Sequence, residues 1–160
     1  MQLFNYSLLI IFSFLRSSHQ PPPVLKVDEL VKRYTNTSDT TYIVNFWATW
    51  CQPCVKELPD FEKVNEAYKN KKVKVILVSI DFVADYDSKL VRFVKKNKIQ
   101  SEVLLLDETK ANVFIDKIDA RWSGSIPATM IVNNSLKYKE FFEKSVSYDF
   151  LAGKIYELER

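Results

Sequence analysis

The 160-residue chain is poor in residues on which several common kinds of site depend. It has only two glycines, Gly124 and Gly153, so it lacks the glycine-rich loops that hold nucleotide phosphates. Its cysteines number two and its single histidine, His19, lies in an N-terminal segment of different character. A closed zinc site needs about four ligands. Neither a nucleotide cofactor nor a buried metal site is therefore expected.

The chain also lacks a strong charge of either sign. Twenty-three basic residues oppose twenty acidic residues, and the lysines are scattered rather than clustered into a patch. A net charge of +3 is too small to predict binding to nucleic acid or to an anionic membrane surface. Hydrophobic residues make up 47% of the sequence, which is enough for one domain with a substantial core.

The N-terminal segment is set apart by an uncharged apolar run over residues 3–15. The run is shorter than the ~20 residues of a membrane span. Its length suits the hydrophobic region of a signal peptide, and Ser17 and Ser18 are small residues suited to a cleavage point. We therefore predict that residues 1–20 are a signal peptide or an N-terminal anchor and that residues 21–160 form the domain.

An alternative is that this run is a strand or helix of the domain itself, because no Lys or Arg precedes it. No cysteine stands directly after it, which excludes a bacterial lipoprotein anchor. Export would place the protein in an oxidising compartment, where a reductant must be supplied from elsewhere.

Apolar spacing divides the rest of the chain into alternating strands and helices. Helical spacing occurs near residues 27–34, 58–68, 90–97, 113–118 and 151–158. Short apolar runs that indicate strands cover residues 42–46, 73–80, 103–106, 129–132 and 138–142. Pro59 is expected to interrupt and kink the second helix, and residues 133–135 are expected to close a hairpin. This order predicts an α/β sandwich with a mixed central sheet.

The two cysteines lie together as Cys51-Gln52-Pro53-Cys54, after a predicted strand and before a predicted helix. This context is typical of a redox dithiol. At the start of a helix, backbone N–H groups and the helix dipole stabilise the thiolate of Cys51, which is the reacting form. A purely structural disulfide is the alternative, although so small a loop constrains the unfolded chain little.

Residues 45–59, which contain both cysteines, resemble the active-site signature of the thioredoxin superfamily, and within it the exported TlpA/ResA-like thiol–disulfide oxidoreductases. Residues 124–129 (Gly-Ser-Ile-Pro-Ala-Thr) resemble the cis-proline segment of the same family. The order of predicted elements fits from about Val24 to the C-terminus. The resemblance implies a thioredoxin-like three-layer α/β sandwich and a protein-disulfide reductase with no cofactor other than the redox-active disulfide Cys51–Cys54.

The resemblance also implies a role for each residue of the site. Cys51 matches the nucleophile and Cys54 matches the resolving cysteine. Pro127 matches the cis-proline opposite the cysteines, with an ordinary trans proline as the alternative, because trans is the usual state. Trp47 is expected to lie in the core. The implied substrate-binding residues are Trp50, Gln52, Pro53, Ile126 and Pro127.

Two positions depart from ordinary thioredoxin. Asn45 stands where thioredoxins carry a buried aspartate that handles protons, and asparagine cannot ionise. The TlpA/ResA-like branch commonly carries a glutamate after the second cysteine instead. Glu57 lies three residues after Cys54, so a helix places both side chains on one face. Our hypothesis is that Glu57 tunes or relays protons for Cys54, and the alternative is that it stabilises the first turn of the helix.

The direction of the reaction is suggested by the residues beside the cysteines. Gln52-Pro53 lacks the histidine of strongly oxidising relatives, and Ile126 before Pro127 is similar to the reducing branch. In that branch an exported reductase acts on oxidised protein thiols, including apocytochrome c. It receives electrons from a membrane thiol carrier of the DsbD or CcdA kind.

Other functions on the same fold remain open. A peroxiredoxin-like thiol peroxidase would use one cysteine with nearby Thr and Arg, and Thr49 precedes Cys51. A metallochaperone of the Sco type needs a distal histidine, and none follows Gln20. A binding module with idle cysteines is the third alternative.

Overall fold

The computed structural model of the chain describes residues 20–35, 38–108 and 110–160. The predicted leader, residues 1–20, lies outside the described residues except for Gln20. The strands of the described part are β1 (Val24–Leu25), β2 (Thr41–Trp47), β3 (Val73–Ser79), β4 (Glu102–Leu106), β5 (Ala128–Asn133) and β6 (Tyr138–Phe142). The α-helices are α1 (Val27–Tyr34), α2 (Gln52–Ala67), α3 (Arg92–Asn97), α4 (Ala111–Ile118) and α5 (Tyr148–Leu158).

The strands form one sheet of order β1-β4-β3-β2-β5-β6. The first four strands in this order run parallel to one another, whereas β5 is antiparallel to both β2 and β6. The sheet is therefore mixed, as the alternating elements and the closing hairpin predict. Parallel strands place their carboxyl ends at the same edge, and that edge carries the candidate site.

Helices cover both faces of the sheet, because successive strand side chains point to opposite sides. On β2, Ile43 and Trp47 belong to the apolar cluster beneath α2 and α5. Val44 and Phe46 belong to the opposite cluster, beneath α1 and α4. All seven residues of β2 are buried, which explains its nearly continuous apolar sequence. The predicted α/β sandwich is confirmed.

One predicted helix differs from the structure. The segment before Asn97 is not a single long α-helix: it begins as a 3₁₀ turn over Val83–Asp85 and continues as a π-helix over Tyr86–Val91 before α3. The Tyr86 hydroxyl donates to the Pro22 carbonyl at 2.6 Å, while Leu90 is fully buried. These tertiary contacts override the local helical preference, which the apolar spacing alone reflects.

Two further features differ from the sequence prediction. Strand β1 was not predicted, because two residues cannot show a periodic pattern. It is attached to β4 through the Leu105 N–H, which donates to the Pro23 carbonyl at 2.9 Å. Helix α2 continues through Pro59 without interruption. Within the described ranges, no helix has the length and apolar character needed to cross a bilayer.

Candidate active site

The two cysteines form a disulfide at the start of α2, just after the turn that follows β2. The sulfurs are 2.01 Å apart and the Cα atoms 5.3 Å apart. Cys51 is the N-cap of α2, and its Sγ accepts the backbone N–H of Cys54 at 3.3 Å. Pro53 occupies the first helical turn, where its missing N–H costs no intrahelical bond. The predicted position of the pair, at a helix start after a strand, is confirmed.

The two cysteines differ in their exposure to solvent. Cys51 keeps 6% of its surface exposed, whereas Cys54 is fully buried. Trp50 on one side of Cys51 is 56% exposed, and Gln52 and Pro53 on the other side are also exposed. An incoming disulfide therefore meets Cys51 first, and Cys54 lies behind it.

The predicted cis-proline segment faces the disulfide. The Ile126–Pro127 peptide bond is cis, and the Ile126 carbonyl oxygen lies 3.9 Å from the Cys51 Sγ. Pro127 is buried. Trp47 is fully buried against Phe93, in the core as expected, and does not line this surface.

This segment is held in place by two residues that sequence reasoning did not single out. The Trp122 indole packs on Phe46 at 4.7 Å between ring centroids and donates to the Ser125 carbonyl at 2.8 Å. Glu143 accepts the backbone N–H groups of Ser123 and Ser125 at 3.1 and 3.0 Å. The Ser123 hydroxyl, more than any other donor, holds the pKa of Glu143 below its usual range. No local pattern marks either residue.

Glu57 is a buried carboxyl group with two donors. Its Oε1 accepts the Asn45 amide at 2.8 Å and its Oε2 accepts the Val146 backbone N–H at 2.9 Å. Burial nevertheless raises the pKa of Glu57, because desolvation of the charged form outweighs both hydrogen bonds. Glu57 lies beyond the first turn of α2, so the alternative that it stabilises that turn is wrong.

Asn45 connects Glu57 to the strand that follows the cis-proline. It pairs with Thr129 between β2 and β5, and its amide donates to the Thr129 hydroxyl at 3.1 Å. Its Oδ1 is buried and has no hydrogen-bond partner among the described residues. A buried acceptor without a donor is costly, whereas the amide nitrogen of Asn45 is the atom that faces Glu57.

Asp81 is a second buried carboxylate beside the site, and sequence reasoning missed it. It is 3% exposed and accepts the Thr49 N–H at 3.0 Å and the Thr49 hydroxyl at 2.7 Å. The Ser79 hydroxyl donates to it at 2.7 Å. The sequence did contain a signal for it. Asp81 is a polar residue just after a predicted strand, and the carboxyl ends of parallel strands are where sites commonly form.

Comparison with known proteins is consistent with this geometry. Residues 25–139, which include both cysteines and Pro127, match the AhpC/TSA family. The chain belongs to the AhpC/TSA family. Among its relatives is a thiol-disulfide oxidoreductase ResA of Oceanobacillus iheyensis, 33% identical over 141 residues that cover 83% of this chain and 65% of the relative. The ResA-like resemblance of residues 45–59 is thereby confirmed.

Solved structures support the fold assignment of this AhpC/TSA family member. It is similar to StoA from Bacillus subtilis (TM-score 0.56, 22% identity, 77% of this chain and 84% of that one). It is also similar to a thioredoxin-related protein from Neisseria meningitidis serogroup B (TM-score 0.64, 23% identity, 76% and 87%). These likenesses show the thioredoxin-like fold. The chain spans less than two thirds of the length of the curated relatives that it matches.

Proposed function

We propose that this protein is a thiol–disulfide oxidoreductase that reduces disulfides of exported proteins through Cys51 and Cys54. The observation that carries the proposal is the disulfide at the start of α2, with Cys51 reaching the surface beside the Ile126 carbonyl. The likeness to ResA relatives supports it.

The reaction follows from the unequal positions of the two sulfurs. In the reduced protein, the Cys51 thiolate attacks one sulfur of a substrate disulfide; that bond breaks, and the other substrate sulfur leaves as a thiolate. The Cys54 thiolate then attacks the Cys51 Sγ, which re-forms the protein disulfide and releases the second substrate thiolate. Two electrons pass to the substrate. The Cys54 N–H and the α2 dipole stabilise the Cys51 thiolate.

The second step requires a proton acceptor, because buried Cys54 must lose its proton before it attacks. Glu57 lies three residues further along α2 and is also buried. The pKa of Glu57 is raised towards the range where a carboxylate accepts a proton readily. We therefore assign to Glu57 the transfer of the Cys54 proton.

The reducing direction and the cellular setting extend the proposal. Gln52-Pro53 contains no histidine, which supports a potential on the reducing side of glutathione. Electrons would come from a membrane thiol carrier of the DsbD or CcdA kind, and apocytochrome c is one expected substrate. The apolar run over residues 3–15 supports export to the periplasm, with residues 1–20 as a signal peptide or an anchor and residues 21–160 as the catalytic domain.

Insulin reduction and a redox titration test the proposal. We expect the parent protein to accelerate insulin reduction by dithiothreitol and Cys51→Ser to abolish the acceleration. Equilibration with glutathione should give a potential more negative than that of the glutathione pool. Equal rates for parent and variant would refute the oxidoreductase, and a potential near about −120 mV, as in DsbA, would reverse the direction.

A thiol peroxidase is the second candidate, because the match to the AhpC/TSA family covers the site. The Thr49 hydroxyl, which such a site would use, instead donates to Asp81 at 2.7 Å. Peroxide consumption by Cys54→Ser discriminates between the two functions. We expect no consumption above that of Cys51→Ser, whereas turnover by Cys51 alone would favour the peroxidase.

A further inference from the structure

A group of cations around α3 is not neutralised by carboxylates. Many basic side chains elsewhere in the described ranges form salt bridges, as Lys71 does with Glu159 at 3.0 Å. Four exposed basic residues in and just after α3 form no ion pair with any described residue: Arg92, Lys95, Lys96 and Lys98. We call these four residues the α3 basic face. Clustered cations without partners create a positive potential that attracts anionic surfaces.

The local structure of α3 explains this face only in part. Arg92, Lys95 and Lys96 follow helical spacing and share the side of α3 opposite buried Val94. The helix dipole favours cations in the last turn, which accounts for Lys95 and Lys96. Lys98 lies beyond the helix with a φ of 52°, where glycine or asparagine is usual. Neither backbone geometry nor the dipole calls for a lysine there.

The carboxylates near the face are bound to other groups. Glu62 on α2 accepts two backbone N–H groups of the loop after α3, at 2.7 and 3.0 Å. Glu102, at the start of β4, is shared by two further cations, Arg33 and Lys74. Asp87 precedes the face in the π-helix and pairs with none of its four cations. The surface around α3 therefore keeps an excess of positive charge.

The chain enters the domain beside this face. Gln20 is the first described residue, and it lines a cavity together with Val94 of α3. The Pro22 carbonyl accepts the Tyr86 hydroxyl at 2.6 Å, which attaches the entering segment to the π-helix before α3. The predicted leader, residues 1–20, is therefore joined to the domain next to the α3 basic face.

The disulfide lies at the opposite edge of the sheet. Gln20 adjoins the start of β4, whereas Cys51 follows the end of the parallel strand β2. The two edges are separated by at least the length of a strand, about 20 Å. The loops after β3 and β4, at the disulfide edge, carry mainly carboxylates: Asp81, Asp85, Asp107 and Glu108. The entry edge is thus basic and the disulfide edge acidic.

We propose that the α3 basic face binds an anionic lipid surface where residues 1–20 anchor the chain, so that the disulfide faces away from the membrane. The inference rests on the part of the proposed function that makes these residues an anchor. Basic residues held beside a membrane anchor are attracted to anionic lipids over about a Debye length. Repulsion of the acidic disulfide edge favours the same orientation. The net charge of +3 does not reveal this surface, because folding separates the charges.

Vesicle binding by the full chain tests the proposal. The probes are vesicles of phosphatidylcholine alone and of phosphatidylcholine mixed with phosphatidylglycerol, each at low and at high salt. The test variant is Lys95→Gln/Lys96→Gln. The matched control is Lys110→Gln/Lys144→Gln, which removes two exposed lysines without ion pairs near the disulfide edge. Both variants change the net charge equally, and co-sedimentation measures the bound fraction.

At low salt we expect the parent to bind the mixed vesicles about tenfold more strongly than the neutral ones, and high salt to remove the difference. Lys95→Gln/Lys96→Gln should weaken binding to the mixed vesicles about tenfold, and the control should stay within about twofold of the parent. Equal binding of the parent to both kinds of vesicle overturns the inference. Equal losses in the two variants also overturn it, because only net charge would then matter.

Insulin reduction by the same samples tests the orientation. The parent bound to mixed vesicles should reduce insulin within about twofold of the rate in free solution, because the disulfide edge stays accessible. A large loss of rate on binding would show that the disulfide faces the lipid and would overturn the proposed orientation. A parent that is inactive without vesicles refutes the oxidoreductase instead and leaves the result on lipid binding as measured.

Discussion

Two buried carboxyl groups with different surroundings flank the sulfurs. Glu57 lies in an apolar interior with an amide and one backbone N–H, so burial dominates and raises its pKa. Asp81 lies at the sheet edge, where the Thr49 N–H and two hydroxyl groups donate to it. Residue type alone does not distinguish them. Its environment suits Glu57 to hold a proton. Asp81 instead accepts the hydrogen bonds that attach the turn at Thr49 to the loop after β3.

At the scale of the residue, we predict the effect of Glu57→Gln on pH dependence. Because its pKa is raised above 4.5, the folded protein binds the Glu57 proton more tightly than the unfolded chain does. The contribution to stability is fully present below 4.5 and is lost as the pH rises through the folded pKa. The variant cannot titrate, so its free energy of unfolding relative to the parent should increase with pH across that window.

Urea unfolding at a series of pH values measures this difference. Glu66→Gln, at an exposed position of α2, is the control for the loss of a carboxylate and should change the free energy of unfolding by no more than about 0.5 kcal/mol. The release of substrate from Cys51 should also slow by about tenfold or more in Glu57→Gln if Glu57 takes the Cys54 proton. Parallel stability curves for Glu57→Gln and the parent would contradict the prediction.

At the scale of the elements, the site is assembled from segments that adjoin the ends of strands at one side of the sheet. The turn after β2 carries Trp50 and Cys51, the loop after β3 carries Asp81, and the segment before β5 carries Pro127. Each segment is tied to a neighbour by side-chain acceptors, Asp81 in one case and Glu143 in another. Secondary structure places the segments near one another, and these carboxylates fix their distances.

We predict that Asp81→Ala destabilises the protein by about 1–3 kcal/mol, because the part-buried Thr49 N–H loses its acceptor. The measurement is the midpoint of chemical unfolding with an unchanged slope. Asp87→Ala is the matched control, since Asp87 is exposed in the π-helix a few residues later and should change stability by no more than about 0.5 kcal/mol. Equal midpoints for the two variants would show that the bridge contributes nothing.

At the scale of the whole molecule, one sheet separates two apolar clusters, and the site is part of the cluster beneath α2. Cys51 and Cys54 belong to that cluster together with Phe61. The reactive disulfide is therefore supported by the core rather than carried on a free loop. A change in the core beneath α2 should be transmitted to the global stability of the domain.

We predict that Phe61→Ala lowers the free energy of unfolding by about 3–5 kcal/mol, because Phe61 is fully buried and leaves a cavity. Tyr156→Ala is the control on α5, where the side chain is 63% exposed, and should cost less than about 1 kcal/mol. Thermal and urea unfolding measure both. A small cost for Phe61→Ala would mean that the core beneath α2 collapses around the vacancy.

Much of the fold and part of the site could be predicted from local patterns. The apolar stripe of α2, the continuous apolar run of β2 and the hairpin after Asn133 each follow from periodicity over a few residues. The two-residue strand β1 and the π-helical segment could not be predicted. Their conformations depend on Leu105 and Pro22, which are distant in sequence.

The sequence by itself determined the order of strands and helices and the position of two cysteines at the start of a helix, because these depend on neighbouring residues. Only the tertiary structure decided which groups surround them. Asp81 meets Thr49 across 32 positions, and Glu57 meets Val146 across 89. Such contacts arise from strand register and helix packing, which depend on the whole chain, so no local pattern contains them.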